Sequence, residues 1–155
     1  MLSDEDRRDT FHSDRPLVSV VIPAFNASTY IERTLRSAVR QTYDALEIIV
    51  VNGGSTDHTA KLLEQMAMSD SRIRLLSTPN CGVAAARNTG IEASSGRFVA
   101  FLDADDLWHL TKVEKQVSAL NRLPSHWAAV SAGRILKCMV GCHNNLCTAS
   151  VAFHF

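Results

Sequence analysis

The chain has 155 residues, which is enough for one compact α/β domain with a hydrophobic core and leaves little room for a second domain. Its 16 acidic and 16 basic side chains balance, so no overall electrostatic field draws the chain to nucleic acid or to an anionic membrane. Any anionic ligand must therefore be bound by a local group of residues.

The N-terminal segment is charged and contains no apolar run as long as a signal peptide or a membrane span requires. We predict a disordered leader over residues 1–16, in front of a cytosolic domain with no transmembrane segment. The four cysteines are too few and too unevenly spaced for the disulfide framework of a small secreted fold. Reduced thiols are therefore expected.

Apolar β-branched runs alternate with segments of helical periodicity from residue 17 onwards. The runs 17–23 and 46–51 predict strands that are buried on both faces. The segments 28–41 and 56–69 predict helices, because their apolar residues recur at helical spacing. Four charged residues on the predicted helices are expected to face solvent, namely Glu32, Glu64, Lys112 and Lys115.

The same alternation continues through the rest of the domain. Residues 73–76 and 98–102 predict two more strands, residues 83–93 and 107–120 predict helices, and residues 127–132 predict a last strand. Strands that alternate with helices in this way are typical of a mostly parallel sheet covered by helices on both faces. The expected fold class is therefore α/β.

Small or polar residues follow three of the predicted strands. Ligands of open parallel sheets bind beyond the carboxyl ends of the strands, so we expect these segments to converge on one crevice. The segments are Pro23-Ala24-Phe25-Asn26 after the first strand, Gly53-Gly54-Ser55-Thr56-Asp57 after the second, and Asp103-Ala104-Asp105-Asp106 after the fourth.

Three carboxylates lie within four residues, at Asp103, Asp105 and Asp106. Carboxylates this close repel one another unless a cation lies among them. Hard oxygen ligands suit Mg²⁺ or Mn²⁺, which proteins usually share with the phosphates of a substrate. The alternative is that Asp105 or Asp106 caps a helix beginning near Leu107, which explains one aspartate but not three.

The turn at residues 52–55 allows the backbone to come close to a ligand, and Ser55 or Thr56 can then cap the following helix, whose positive end favours anions. Its spacing matches neither the dinucleotide fingerprint nor the phosphate loop of nucleoside triphosphatases. An ordinary turn is the alternative interpretation.

Arg87 lies in a predicted helix that otherwise consists mainly of small residues. Its guanidinium has few local partners there and can reach a diphosphate with bidentate geometry. The alternative is a solvated surface arginine.

These residues belong to three longer segments, VSVVIPAFNASTYIERTLRSAVRQTYDALEIIVVNGGSTD, GVAAARNTGIEASSGRFVAFLDADD and LWHLTKVEKQV. In this order, over residues 17–120, they closely resemble the family 2 glycosyltransferases of the GT-A fold. The resemblance implies a Rossmann-like GT-A sheet that binds a nucleotide-diphosphate sugar, often a uridine one. It also implies an Asp-x-Asp motif that binds a divalent metal, Mn²⁺ or Mg²⁺, which bridges the diphosphate and acts as a Lewis acid on the leaving group.

The resemblance assigns roles position by position. The loop after the first strand matches the part of the family that packs around the base, and Arg87 matches a donor-binding basic residue. Asp103 matches the first carboxylate of the Asp-x-Asp motif, near the ribose, and Asp105 matches the carboxylate that usually contacts the metal. The implied donor-binding residues are Pro23, Ala24, Phe25, Asn52, Gly53, Ser55, Arg87 and Asp103, and the implied metal ligand is Asp105.

The turn after the second strand departs from the family. The family commonly has Asp-Asp-Gly-Ser or Asp-Gly-Gly-Ser here, and this chain has Asn52 where the carboxylate usually accepts a hydrogen bond from the base. The amide oxygen of Asn52 can replace that acceptor, but a neutral acceptor binds less strongly. Donor affinity or base choice is therefore in question.

The family's catalytic base and acceptor-binding region lie well downstream of the Asp-x-Asp motif, beyond residue 155. The catalytic residue is therefore unassigned, and we expect a truncated product whose sheet is incomplete at its C-terminus. His109 stands close to the aspartates, but its position matches an ordinary family residue. We interpret it as a polar residue of a loop or of a first helical turn.

The resemblance places the donor-binding domain at residues 17–132 and leaves residues 133–155 as an atypical tail. This tail contains three cysteines and two histidines. A zinc site is disfavoured against an untemplated or frame-shifted tail, because the ligand spacing is not a common paired arrangement. The possible ligands would be Cys138, Cys142, His143 and Cys147.

The resemblance thus implies a metal-assisted, inverting glycosyltransferase, in which an acceptor hydroxyl displaces the nucleotide diphosphate from a sugar donor. The expected donor is a UDP-sugar. Saccharide and lipid-linked acceptors of polysaccharide or cell-envelope biosynthesis both fit. The expected location is therefore the cytoplasm, and peripheral association with the membrane is compatible with a lipid-linked acceptor. The alternatives are a catalytically inactive nucleotide-sugar-binding module and an α/β fragment that binds nothing.

Overall fold

The computed structural model describes residues 15–122 and, beyond them, the backbone of three short strands. Residues 1–14 of the predicted leader and most of the predicted tail, with the possible zinc ligands' side chains, lie outside the described residues. Pro16, the last residue of the predicted leader, is buried, and its carbonyl accepts a hydrogen bond from the hydroxyl of Tyr43 at 2.6 Å. The described fold therefore includes this residue.

Strands and helices alternate over residues 18–122, as the sequence predicts, and three short strands follow in the described chain. The bounds differ from the predicted ones by at most three residues, except at the fourth helix. The elements are β1 (Val18–Ala24), α1 (Ile31–Val39), β2 (Leu46–Asn52), α2 (Thr59–Ser69), β3 (Ile73–Ser77), α3 (Gly82–Glu92), β4 (Phe98–Phe101), α4 (Lys112–Arg122), β5 (Ala129–Ser131), β6 (Arg134–Leu136) and β7 (Cys147–Thr148).

The main sheet has the strand order β3-β2-β1-β4-β7, and all of its pairs are parallel. The predicted parallel, Rossmann-like sheet is thereby confirmed. β5, which falls within the strand predicted at residues 127–132, does not join it. It pairs with β6 in a separate antiparallel sheet of two strands.

Helices cover both faces of the main sheet. Alternate residues of a strand point to opposite faces, so each strand contributes to the core on both sides. On one face, Ile49 and Val51 of β2 pack against Ala86 of α3. On the other face, a larger apolar cluster joins β1 and β2 to α1, α2 and α4, and it includes Val20, Ile22, Ile48, Val50, Ile31, Leu35, Leu63, Val113 and Val117.

α3 approaches β1 closely at Gly90. A Cβ atom at this position would lie 2.3 Å from Cγ1 of Val21, so no larger residue fits without a shift of the helix or the strand. α3 runs antiparallel to the strands, so residues that precede Gly90 lie nearer the carboxyl edge of the sheet. This close packing places Arg87, one helical turn earlier, at that edge.

The predicted start of the fourth helix is wrong. α4 begins at Lys112 and not near Leu107. The interpretation that Asp105 or Asp106 caps this helix is therefore also wrong, because several residues separate them from its first turn.

The segment before α4 lies along α1 instead of forming a helical turn. Its backbone groups bond to side chains of α1 and of the residue pair that follows α1, which removes the need for intrahelical hydrogen bonds. The hydroxyl of Thr34 donates to the carbonyl of Ala104 at 2.7 Å, Ser37 Oγ accepts from the N–H of Trp108 at 3.1 Å, and Gln41 Nε2 donates to the carbonyl of His109 at 2.8 Å.

Candidate functional site

The carboxyl ends of β1, β2 and β4 lie side by side, because β1 stands between the other two strands. Ala24 pairs in register with Asn52, and its carbonyl accepts a hydrogen bond from the N–H of Gly53 at 2.9 Å. On the other side, the N–H of Leu102 donates to the carbonyl of Val21 at 3.1 Å. The three segments that follow these strands therefore start next to one another. They are named loop 1 (residues 25–30), loop 2 (residues 53–58) and loop 3 (residues 102–111).

Loops 1 and 2 form one hydrogen-bonded unit. Three consecutive N–H groups of loop 1 donate to side-chain oxygens of loop 2 and of the first residue of α2, and a side chain of loop 1 accepts in return from the backbone of loop 2. The bonds are Asn26 N–H to Ser55 Oγ at 3.0 Å, Ala27 N–H to Thr59 Oγ1 at 2.8 Å, Ser28 N–H to Asp57 Oδ2 at 3.2 Å, and Thr56 N–H to Asn26 Oδ1 at 2.8 Å.

The three residues predicted to pack around the base differ in their exposure to solvent. Pro23 and Ala24 are buried residues of β1, whereas the side chain of Phe25 is exposed at 49%. Phe25 is followed by Asn26, whose φ of 49° lies in the left-handed region. Of the three predicted residues, Phe25 is therefore the one whose side chain lies open to a ligand.

The turn after β2 is organised by Asn52. This residue is 5% exposed, and its Oδ1 accepts a hydrogen bond from the N–H of Ser55 at 3.1 Å. The glycine requirement falls on Gly54, whose φ is +72°, since a Cβ atom at Gly53 would meet its nearest neighbour, the carbonyl oxygen of Ala24, only at 3.7 Å. Gly53 is thus not required by the turn itself.

The interpretation that Ser55 or Thr56 caps α2 is wrong. Oδ1 of Asp57 accepts the N–H of Thr59, the first residue of the helix, at 2.9 Å. The hydroxyl of Ser55 instead accepts from loop 1, so it links two loops rather than ending a helix. Asp57 was not among the predicted site residues, although an aspartate just before a helix is the usual signal of such a bond.

Asp57 carries a carboxylate that its neighbours keep ionised. The Thr59 side chain is the largest influence and lowers the pKa of Asp57, while partial burial opposes it. The N–H of Thr59 and the side chain and N–H of Ser28 lower this pKa further, so that it lies far below the ordinary value of an aspartate. Asp57 is therefore an anion at every pH near neutrality.

Arg87 and Asp103 form an ion pair at the same edge of the sheet. Nη2 of Arg87 lies 2.6 Å from Oδ1 of Asp103, and the guanidinium carbon lies 5.8 Å from the centre of the Phe101 ring. Nε of Arg87 is buried and has no hydrogen-bond partner among the described residues. Arg87 is therefore partly exposed but ion-paired, and the two predicted donor-binding residues lie in contact.

The aspartates of loop 3 do not form a ready-made metal cage. Within the part of the chain that the structure describes, no group of three or more histidine, cysteine or carboxylate side chains is arranged to hold an ion. Arg87 neutralises Asp103, so repulsion among the carboxylates does not by itself require a cation. Asp105 is exposed and makes no hydrogen bond or ion pair with the described residues, which fits an ion that takes most of its ligands from water and substrate phosphates.

His109 in loop 3 and Lys112, the first residue of α4, have other environments. His109 is exposed and lies beside the residues that follow α1, at the opposite end of that helix from loop 1, in agreement with its interpretation as an ordinary polar residue. The expectation that Lys112 faces solvent is wrong, because it is 8% exposed and its Nζ lies 3.6 Å from the centre of the Trp108 ring. Burial lowers the pKa of Lys112 to about 7.

The comparison with protein families decides to which family the chain belongs. The model of the family described as Glycosyl transferase family 2 matches residues 19–145. The chain belongs to this family. The match continues past residue 132, where the sequence analysis ends the donor-binding domain, into the segment interpreted there as an atypical tail.

Curated relatives of this glycosyltransferase chain are considerably longer. The putative teichuronic acid biosynthesis glycosyltransferase TuaG of Bacillus subtilis is 45% identical over 104 residues, which cover 66% of this chain and 41% of the relative. The protein of Escherichia coli named UDP-Glc:alpha-D-GlcNAc-diphosphoundecaprenol beta-1,3-glucosyltransferase WfgD is 44% identical over 109 residues, 69% of this chain and 42% of that protein. The glycosyltransferase chain thus spans about two fifths of the length of these relatives.

Solved structures confirm the fold. Residues 1–349 of S. aureus TarS in complex with UDP-GlcNAc match with a TM-score of 0.66 at 24% identity, over 74% of this glycosyltransferase chain and 34% of that chain. The mannosyltransferase PcManGT of Pyrobaculum calidifontis, in complex with GDP-Man and Mn²⁺, matches with a TM-score of 0.68 at 29% identity, over 77% and 36% of the two chains. Among the described residues of the chain, none of the helices has both the length and the apolar composition that crossing a membrane requires.

Proposed function

We propose that the chain carries the donor-binding part of an enzyme that transfers a sugar from a nucleotide-diphosphate sugar to an acceptor hydroxyl. The observation that carries the proposal is the contact between Arg87 and Asp103 at the carboxyl edge of the sheet, beside the hydrogen-bonded unit of loops 1 and 2. A guanidinium at this position is a bidentate partner for phosphate oxygens, and Asp103 can accept from a ribose hydroxyl. The remaining predicted donor-binding residues, Pro23, Ala24, Phe25, Asn52, Gly53 and Ser55, belong to or border the same unit.

A uridine donor agrees best with Asn52. Oδ1 of Asn52 uses one lone pair for the N–H of Ser55, which leaves the other lone pair and the amide N–H groups for a ligand. Uracil offers one N–H donor between two carbonyl acceptors, so an amide that both accepts and donates is complementary to it. The Escherichia coli relative is named for a UDP-Glc donor, which supports this choice.

The proposed metal ligand is Asp105, for Mn²⁺ or Mg²⁺. One exposed carboxylate is a sufficient protein contribution when the diphosphate and water supply the other ligands. A bound ion would stabilise negative charge on the departing nucleotide diphosphate. The complex of PcManGT with GDP-Man and Mn²⁺, at 29% identity, supports the use of a divalent ion.

The reaction proposed for the whole protein is an inverting displacement, with a saccharide or a lipid-linked sugar of the cell envelope as acceptor. The names of the Bacillus subtilis and Escherichia coli relatives, which refer to teichuronic acid and to a diphosphoundecaprenol-linked sugar, support this acceptor class. A cytoplasmic protein that acts at the membrane surface would fit such an acceptor. The base that activates the acceptor hydroxyl is proposed to lie downstream of residue 155.

The proposal is tested by calorimetric titration of the chain with UDP, with and without Mn²⁺. We expect binding that Mn²⁺ strengthens, loss of this metal dependence in Asp105→Ala, and its retention in Asp106→Ala, which removes the neighbouring carboxylate. Absence of nucleotide binding in the native chain would overturn the proposal. Assays with several nucleotide sugars then separate an enzyme from an inactive binding module, because the module binds UDP without releasing a transfer or hydrolysis product.

A further inference from the structure

The carboxylate of Asp57 bridges two segments that follow different strands. Its Oδ2 accepts the N–H of Ser28 in loop 1 at 3.2 Å, and its Oδ1 accepts the N–H of Thr59 at the start of α2 at 2.9 Å. Both oxygens of one side chain are therefore used to fix backbone groups. A carboxylate acceptor makes such bonds stronger than a neutral acceptor would.

A second link runs through Thr59. This residue is 0% exposed, and its hydroxyl oxygen accepts the N–H of Ala27 at 2.8 Å. Because Asp57 bonds the backbone of Thr59, it also holds the acceptor of Ala27 in place. Two successive N–H groups of loop 1 thus depend on Asp57, one directly and one through Thr59.

Loop 1 needs such support because it contains an unusual backbone conformation. Asn26 has a φ of 49°, a left-handed conformation that is uncommon for residues other than glycine, although asparagine adopts it more readily than most. Its N–H is bonded to Ser55 Oγ, and the bonds at Ala27 and Ser28 follow directly. The exposed side chain of Phe25 precedes this bend, so its direction is determined by the way in which loop 1 is held.

We propose that Asp57 is a positioning residue for the nucleotide, which holds loop 1 in the conformation that presents Phe25 to the base without contacting the donor itself. The proposal deepens the proposed function and rests on it. Its physical content is preorganisation: a loop that is already held in its bound conformation loses less entropy when the ligand binds.

Asp70 supplies a matched control. Its Oδ1 accepts the N–H of Arg72 at 2.9 Å, two residues ahead, which is the same local bond that Asp57 makes to Thr59. The pKa of Asp70 is lowered as well, with the side chain of Arg72 as the largest cause. Asp70 lies between α2 and β3, at the edge of the sheet opposite to loops 1 and 2.

The experiment compares Asp57→Asn with Asp70→Asn by UDP titration and by hydrogen exchange of single backbone amides, both well below the melting temperatures. We expect Asp57→Asn to weaken UDP binding about tenfold, as the loss of a charge-assisted hydrogen bond that orders a site predicts, and Asp70→Asn to change it by less than about twofold. Without ligand, the amides of Ala27 and Ser28 should exchange faster in Asp57→Asn than in Asp70→Asn. General destabilisation would affect the two variants alike.

The possible results separate this proposal from the proposed function. Unchanged exchange at Ala27 and Ser28, or faster exchange with native UDP affinity, overturns the positioning role of Asp57. If the native chain binds no UDP, the proposed function fails, and so does the proposal that Asp57 prepares loop 1 for the nucleotide. The exchange data still decide whether Asp57 holds loop 1. Thr59→Val, which removes the acceptor of the Ala27 N–H, tests the same link if Asp57→Asn does not fold.

Discussion

The guanidinium of Arg87 and the carboxylate of Asp103 lie 2.6 Å apart and join α3 to loop 3. The two side chains are 37% and 48% exposed, so the pair contributes only about 0–1 kcal/mol to the free energy of unfolding. A pair that stabilises the fold so little is easily replaced by a contact with a ligand. A diphosphate that binds Arg87 would release Asp103 for a hydroxyl of the same nucleotide.

Replacing Arg87 should therefore reduce binding far more than stability. We expect Arg87→Met to weaken UDP binding about tenfold or more, and to lower the free energy of unfolding by less than about 1 kcal/mol. Arg87→Lys should recover part of the affinity, because an ammonium keeps the charge but cannot form the bidentate contact. Calorimetry and urea unfolding measure the two effects.

Arg36→Met is the control for this variant. Arg36 forms an exposed ion pair with Glu32 on α1, with Nη2 and Oε1 2.7 Å apart, and neither residue is assigned to the donor. Its replacement should leave UDP affinity unchanged. Native affinity in Arg87→Met would show that Arg87 does not contact the nucleotide.

Glu47 connects neighbouring segments at the amino-terminal edge of the sheet by hydrogen bonds. Its carboxylate makes the free energy of unfolding depend on pH. Burial would raise the pKa of Glu47, but hydrogen bonds from the hydroxyl of Ser19, the N–H of Ser95, the side chain of Arg74 and the N–H of Gly96 outweigh it. They hold this pKa below the ordinary value of a glutamate. The stabilisation is complete above the pKa of the unfolded chain and is lost as the pH falls through the lower, folded-state value. We therefore expect the free energy of unfolding to fall more steeply below about pH 4 in the native chain than in Glu47→Gln.

Urea unfolding at neutral pH and at acid pH tests this expectation. Glu32→Gln, which removes an exposed carboxylate from α1, serves as the control and should follow the native curve closely. Equal slopes for the native chain and Glu47→Gln would show that the acid sensitivity of the fold arises elsewhere.

Gly96 is required by the same edge of the sheet. A Cβ atom here would lie 2.6 Å from Oγ and 2.7 Å from N of Ser19, and 2.8 Å from the carbonyl oxygen of Leu17. The last two are backbone atoms, one in β1 and one just before it. Gly96→Ala should lower the free energy of unfolding by about 1–3 kcal/mol, as overpacking does elsewhere. Gly53→Ala, with its nearest contact at 3.7 Å, should cost less than about 1 kcal/mol. Equal stability of the two variants by urea unfolding would contradict this account.

The sheet could be predicted because its signals are local. Val20, Ile22 and Ile48 lie in short β-branched runs, and such runs are readable without knowledge of the partners they pack against. The start of α4 could not be predicted in the same way. It depends on bonds from Thr34 and Gln41 to residues that follow them by 70 and 68 positions, and no local period contains that information.

The candidate site shows the same division. Asp103 and Asp105 are recognisable from their position after β4. The counter-ion of Asp103, however, is Arg87 on α3, which the local sequence does not reveal. Repulsion among the aspartates therefore predicts a cation that the fold itself does not require. The position of Asp57 before a helix predicts its local bond to Thr59, but its bond to the N–H of Ser28, 29 residues away along the chain, has no local signal.

Thr34 gives a last prediction, since it connects loop 3, which contains the proposed metal ligand Asp105, to the core. It is 0% exposed, and its hydroxyl donates to the carbonyl of Ala104, the residue between Asp103 and Asp105, at 2.7 Å. Thr34→Val keeps the shape but leaves this carbonyl without its donor, which should cost about 1–3 kcal/mol. Because the backbone between the two aspartates is then free to move, the Mn²⁺-dependent part of UDP binding should weaken more than the metal-independent part.

Thr34→Ser separates the hydroxyl from the methyl group. The serine variant keeps the donor to Ala104 and loses a buried methyl, so it should be destabilised by about 1 kcal/mol and still show the native response to Mn²⁺. Calorimetric titrations of both variants with UDP, with and without Mn²⁺, give the comparison. If the valine variant responds to Mn²⁺ as the native chain does, the position of Asp105 does not depend on this hydrogen bond, and the packing of loop 3 along α1 must hold the aspartate in place by itself.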